Sequence, residues 1–201
     1  FGPEIAVLGK DILKVEFAGS FILLAGLFAI ALLFLTGFKN PITQNAANES
    51  PQRPLKEIFK QRVFWVSILS ATIGYAVMSF IMTATPVSMH VMEGHSLGHT
   101  KWVIQSHIVA MFLPSLITAW IIKKLGVSKM MITGLIAYVI CIAIAFAGKH
   151  LGNYWVSLIL LGVGWNFLFI GATTLLPQCY KPSERFRVQA VNDFVIFGTQ
   201  A

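Results

Sequence analysis

Five stretches of this chain, each about twenty residues long, contain no Asp, Glu, Lys or Arg: residues 17–38, 63–85, 102–122, 130–148 and 154–176. A helix of that length crosses a hydrocarbon layer ~30 Å thick. A sixth span is expected to start near Gln189, to include Asp193 early, and to be cut off at residue 201. Inside lipid, every backbone N–H and C=O must be satisfied within the spanning element, so only helices and closed barrels qualify. Barrel strands are segments of ~10 residues with alternating polarity, and these runs do not alternate. The expected fold is therefore all-α and membrane-integral, a multi-span helical bundle with five full spans and a truncated sixth. The chain opens Phe1-Gly2-Pro3, with no initiator Met and no basic leader. A fragment of a longer protein is expected, without a secretory signal.

Composition supports that reading. Hydrophobic residues make up 56% and charged residues 11%, where soluble domains carry ~25% charged. Disordered chains are polar and poor in aromatics, which excludes that class too. Cys141 and Cys179 are too few for a disulfide scaffold.

The net charge of +7 arises from 15 basic and 8 acidic residues. Its placement separates a nucleic-acid binder from a membrane protein. Eleven of the basic residues fall in three alternating loops, 39–62, 123–129 and 177–187, while Lys10, Lys14, Lys101 and Lys149 lie on the other side. Cytoplasmic loops of membrane proteins carry such an excess. The three loops are thus expected on the cytoplasmic side of a multi-pass membrane protein. No continuous basic stripe remains for nucleic acid. Residues 40–51 are turn-rich and read as a linker, with a formal sequon at Asn48-Glu49-Ser50 that should stay unmodified on the cytoplasmic side. Residues 54–62 place Leu55, Ile58 and Phe59 at helical spacing, as in a short interfacial helix.

Polar side chains inside a membrane are costly and therefore informative. The first and fourth spans have few. The second carries Tyr75, Ser79 and Met82 at helical spacing; the third carries Gln105, His107 and Pro114; the fifth carries Gly162, Gly164, Trp165, Asn166, Gly171, Thr173 and Thr174. At 1.5 Å per residue, Asn166 lies ~18 Å from Tyr154, near the bilayer middle, and His107 ~7.5 Å inward from Trp102. Each has two readings. Asn166 either bonds a neighbouring helix or contacts a solute, and His107 is either packed or functional. The glycines are expected to be close-packing positions. Gly162-Val-Gly164 lacks the third glycine of a dinucleotide loop.

His90, His95 and His99, with Glu93 between them, have side chains suited to a transition metal. The alternative is a solvated loop with scattered histidines. An integral membrane metal-dependent enzyme built on these three, or a non-transporting receptor, is the competing functional class.

Several motifs carry a family resemblance. Residues 119–129 read Ala-Trp-Ile-Ile-Lys-Lys-Leu-Gly-Val-Ser-Lys, where Lys124, Gly126 and Lys129 match a Gly-x-x-x-Asp-basic-x-Gly-basic turn; Ala119 and Lys123 depart from it. Residues 175–194 contain a Pro/Glu/Arg loop with Pro177, Pro182, Glu184 and Arg185, followed by Asp193. Gly2-Pro3 matches only the start of an antiporter motif. Gly74-Tyr75 before Pro86 is echoed by Gly164-Trp165 before Pro177, as internal repeats would give. Together these resemble the major facilitator superfamily, from the end of its fifth helix to the start of its eleventh. The stretch around Glu184 is similar to bacterial solute transporters, some of which resemble riboflavin carriers.

The resemblance implies three regions: residues 1–38 as the end of the N-terminal helical half, 39–62 as the central loop, and 63–201 as the C-terminal half. It implies a secondary transporter working by alternating access, with no covalent chemistry and no cofactor; proton coupling stays open. The expected partners are a small-molecule solute and the lipid bilayer, and a monomer is expected. Tyr75, Ser79, Gln105, His107, Trp165 and Asn166 are the candidate solute contacts. Lys124, Gly126, Glu184, Arg185 and Asp193 are the candidate gating residues.

Overall fold

The computed structural model describes residues 2–38 and 51–200. The sequon at Asn48 and most of the turn-rich linker lie outside the described residues. Among those described, all regular structure is helical. The chain divides into two units, one up to residue 48 and one from residue 49 onward.

The first unit pairs α1 (Gly2–Gly9) with α2 (Ala18–Thr36). Ser20 Oγ donates to Ala6 O at 2.7 Å, and Lys10 pairs with Glu16 at 3.1 Å. Gly19 is the only residue of α2 that this unit buries. A helix so apolar all round suits lipid.

The second unit holds α3 (Leu55–Phe59), α4 (Arg62–Pro86), α5 (Leu97–Phe112), α6 (Ser115–Leu125), α7 (Val127–Ala147), α8 (Leu151–Leu175) and α9 (Arg185–Gly198). α4, α7 and α8 are each long and apolar enough to span a membrane, as is α2. The run at 102–122, expected as one span, is formed by α5 and α6, which together are apolar enough to cross but bend by 44° between them. Pro114 explains the break: it has no N–H to give the carbonyl four residues back, and its ring crowds that turn. The helix resumes with the tight bond from Leu116 N to Leu113 O. α6 turns into α7 at Gly126, whose φ of 82° favours glycine. At Pro86 the α-helix widens into a π-helical turn, Val87–Met92.

α8 is the hub. It packs against α4, α5 and α7 through a core that includes Met131, Tyr138, Leu158, Leu161, Trp165 and Leu168. Lipid offers no hydrophobic drive between helices, so close approach and hydrogen bonds must hold them. A Cβ at Gly164 would lie 2.5 Å from the Tyr138 ring and 2.9 Å from Gly134 O; one at Gly162 would lie 2.7 Å from His107 O. Tyr138 Oη donates to Gly74 O at 2.8 Å, linking α7 to α4.

The short helix α3 is not the interfacial element expected. Ile58 is buried with Phe64, Ile68, Leu176, Cys179 and Val188, and Leu55 and Phe59 pack against that cluster. Its apolar face is satisfied by protein.

Candidate functional site

A cavity of about 440 Å³ opens between α4, α8 and α9, within the range of small-molecule sites. One wall is aromatic. Trp165 and Phe169 are four residues apart, so they share a face of α8. Their rings stack at 4.8 Å with 10° between planes. Tyr75 from α4 stands edge-on to both, at 5.4 and 5.7 Å, and approaches Phe197 of α9 at 6.1 Å. Tyr75, Phe169 and Phe197 line the cavity itself. Trp165 sits behind them, 5% exposed, and Phe112 backs it at 6.2 Å.

The polar lining comes from Gln189, Asn192 and Asp193 on α9 and Thr173 on α8. Asn192 Nδ2 donates to Asp193 Oδ1 at 3.0 Å. Asp193 is the one charged residue among the described lining. Thr173 Oγ1 donates within its own helix to Phe169 O at 3.0 Å.

Tyr75 and Asp193, expected in different roles, thus meet at one cavity. Asp193, on α9 beyond the loop, lines this space. Ser79 lies one turn beyond Tyr75, where its hydroxyl donates to Gln200 Oε1 at 2.9 Å beside a neighbouring cavity. Gln105 faces a separate, largely apolar groove with Trp102, Pro114 and Trp155.

His107 and Asn166 are both buried and bonded to neighbouring helices. His107 is fully buried, and its Nδ1–H donates to Leu158 O at 2.8 Å. Asn166 is 1% exposed; its Nδ2 donates to Met111 O at 2.7 Å and to Ser115 Oγ at 2.6 Å. Met111 and Ser115 flank the break at Pro114, where a helix leaves carbonyls without their usual donors. The amide fills that gap from α8. In this arrangement both side chains join α5 to α8.

The candidate gating residues separate as well. Lys124 holds its ammonium 4.9 Å above the Trp120 ring, and Gly126 makes the turn described above. Arg185 is exposed at the start of α9. Glu184 is 1% exposed and is gripped by Arg53, 131 residues away in sequence. Arg53 Nε and Nη2 donate to its two oxygens at 2.9 and 2.7 Å, and the backbone N–H groups of Arg53 and Lys181 add two bonds at 2.9 Å. The guanidinium bonds lead, with the Lys181 amide next, in holding the Glu184 carboxyl well below the usual carboxylate range. The same pairing raises Arg53. Arg53 Nη2 and Gln61 Nε2 also donate to Cys179 O, at 3.1 and 2.9 Å. The segment at 52–61 is so clasped to the loop between α8 and α9.

Sequence reasoning missed Arg53, Phe169 and Phe197. Arg53 was one charge among several in a basic loop. Phe169 had a signal, its spacing of four from Trp165. Phe197 had none to set it apart from Phe186 and Phe194 on the same helix.

At the other end, His90 Nδ1–H donates to His95 O at 2.8 Å, His95 Nε2–H donates to Lys149 O at 3.1 Å, and Lys149 pairs with Glu93 at 2.6 Å. Among the described residues, no three His, Cys, Asp or Glu side chains come together as metal ligands. The histidines instead tie the loop after α4 to the one before α8.

Comparison with known proteins fits this architecture. The chain is similar to "Riboflavin transporter RfnT" of Brucella anthropi, 39% identical over 203 residues, covering 100% of this chain and 51% of that protein. It is similar to two proteins of Bacillus subtilis: "Uncharacterized MFS-type transporter YdeG", 34% identical over 97% of this chain and 49% of the relative, and "Uncharacterized MFS-type transporter YddS", 32% identical over 89% and 44%. The chain spans about half the length of these relatives. No solved structure matches. The Major Facilitator Superfamily matches residues 5–199, and the chain belongs to that family of multi-pass membrane proteins.

Proposed function

We propose that this chain is part of a secondary transporter that moves riboflavin, or a flat heteroaromatic solute like it, across a bacterial inner membrane by alternating access. The observation that carries the proposal is the stacked Trp165–Phe169 pair with Tyr75 and Phe197 beside a polar wall. A fused aromatic ring gains from such a platform, and base–aromatic stacking is worth ~1–3 kcal/mol per ring by analogy. A polyhydroxyl chain finds hydrogen-bond partners in Gln189, Asn192 and Asp193. The relative named as a riboflavin transporter supports the choice of solute.

In this reading Tyr75, Phe169 and Phe197 touch the solute, and Trp165 holds their geometry. Ser79 and Gln105 line flanking surfaces. The basic loops face the cytoplasm. Lys124, Gly126, Glu184 and Arg185 act on the conformational equilibrium from that side, and a ligand shifts such an equilibrium only by its differential affinity for the two states. The protein works as a monomer.

The test is uptake of labelled riboflavin into proteoliposomes containing the full-length protein. Saturable uptake, reduced at least several-fold by Phe169→Ala at equal protein content, is expected. Uptake no greater than in empty vesicles would refute the solute assignment.

A further inference from the structure

We propose that Asp193 makes this site selective against phosphorylated solutes, so that it accepts the free alcohol of a flavin and rejects its phosphate monoester. The inference rests on the reading above. It starts from the sign of the charge in the cavity. Among the described lining residues, Asp193 carries the only formal charge, and the polar residues beside it are the amides Gln189 and Asn192 and the hydroxyls Tyr75, Thr173 and Tyr180.

A phosphate site is built from Arg or Lys, or from free N–H groups at a helix start. The cavity offers neither. Lys181 follows the lining residue Tyr180 in sequence but does not itself line the cavity, and three further cations are directed elsewhere or lie far along the helix. Arg53 is committed to Glu184, and Arg187 Nη1 donates to Gln52 Oε1 at 3.2 Å. Arg185 precedes Asp193 by two helical turns, ~12 Å of rise, which exceeds the screening length of ~8 Å at physiological salt. Among the described residues, the Asp193 side chain has one hydrogen bond, from Asn192. Its second oxygen is available to accept a hydroxyl hydrogen.

A phosphate monoester carries −1.5 to −2 charges near neutral pH. Bringing it beside a carboxylate in a cavity with an aromatic wall sets like charges together where the described lining supplies no cation. Such juxtapositions discriminate strongly between partners. A hydroxyl at the same position meets an acceptor instead. One side chain therefore rewards the alcohol and penalises its phosphate, which is how specificity is set by a repulsive element as well as an attractive one.

The experiment uses the full-length transporter in proteoliposomes and measures inhibition of labelled riboflavin uptake by two derivatives of the same terminal hydroxyl. One is the 5′-phosphate; the other is the 5′-acetate, which is uncharged. In the wild type the acetate should compete at least about tenfold better than the phosphate. Asp193→Asn should close most of that gap, and Asp193→Glu should keep it. Asp193→Ser serves as the neutral variant should the asparagine protein fail to reach the membrane. Equal competition by both esters in the wild type, exclusion of both alike, or an unchanged gap in the neutral variants would overturn the inference while riboflavin transport itself stands. A wild type that takes up no riboflavin would overturn both the inference and the reading beneath it.

Discussion

Glu184 and Asp193 are two carboxylates nine residues apart, yet they face opposite conditions. Glu184 is almost fully buried and accepts bonds from Arg53 and Lys181 on both oxygens. Asp193 is exposed on the wall of a cavity and accepts one, from its neighbour Asn192. The same contrast runs along α8. The Asn166 amide nitrogen is used at the seam with α5, while its Oδ1 is buried without a partner among the described residues; Phe169 and Thr173 stand at the open side. A polar group closed by internal partners holds the bundle together, and one left open can meet a solute. Changes on the closed side should therefore register in folding, and changes on the open side in binding.

The largest effect is expected where the closed side is forced apart. A Cβ at Gly162 already meets His107 O at 2.7 Å and Ala110 Cβ at 2.9 Å. Gly162→Val must push α5 off α8 and pull at the bonds of His107 and Asn166. Loss of most folded protein in detergent, judged by size-exclusion chromatography, is expected. A normally folded valine variant would show that the seam is loose.

Next comes the clasp at Glu184. Arg53→Ala leaves a buried carboxylate without its main partner, and unpaired buried charge is strongly destabilising. Arg53→Lys should recover only part, since an ammonium cannot make the two-pronged contact. The pH dependence has a definite sign. The folded-state value of Glu184 is depressed below its ordinary 4.5, so its contribution to stability is complete above 4.5. It is lost as the pH falls from there through the depressed value. Glu184→Gln should therefore narrow the stability gap to wild type as acid is added, followed by tryptophan fluorescence. A gap that widens in acid would reverse the assignment.

A smaller effect is expected at Asn166. Asn166→Ala leaves Met111 O and Ser115 Oγ without this donor, and should lower stability by about 1–3 kcal/mol. Riboflavin affinity per folded molecule should hold. Affinity lost with unchanged thermal stability would move Asn166 back to the solute.

How much of this was legible follows from what the bilayer enforces. The spans could be read because a charge in hydrocarbon is expensive, so charge-free runs mark them; α7 at Val127–Ala147 starts three residues from the expected edge. The side that a polar residue faces was not legible. In helices apolar all round, His107 and Tyr75 look alike, since period and spacing give a face but name no neighbour. Pro114 stood in view, yet the break it makes depends on whether the carbonyls it frees find another donor, and Asn166 is far away in sequence. Arg53 was hidden for the same reason. Its partner sits 131 residues on, and nothing local distinguishes it from Lys56 or Lys60.

The smallest effect concerns Tyr75, and it separates ring from hydroxyl. Tyr75 lies edge-on to Trp165 and Phe169 and near Phe197, so its aromatic body completes the wall. Edge-to-face contacts are worth ~0.5–1.5 kcal/mol each beyond area. Removing the ring with Tyr75→Leu should weaken riboflavin binding by about that much, up to roughly tenfold, because the Trp165–Phe169 stack loses its lateral support. Tyr75→Phe keeps the ring and should bind within about twofold of wild type, since the aromatic face dominates the contact. Quenching of flavin fluorescence on titration with the purified protein measures both. Thermal stability should be nearly equal in the phenylalanine variant and the wild type, which is what an open-side residue requires. If the leucine variant binds as tightly as tyrosine, the aromatic wall is packing and the solute sits elsewhere. If phenylalanine is as poor as leucine, the hydroxyl carries the contact and the polar wall begins at Tyr75.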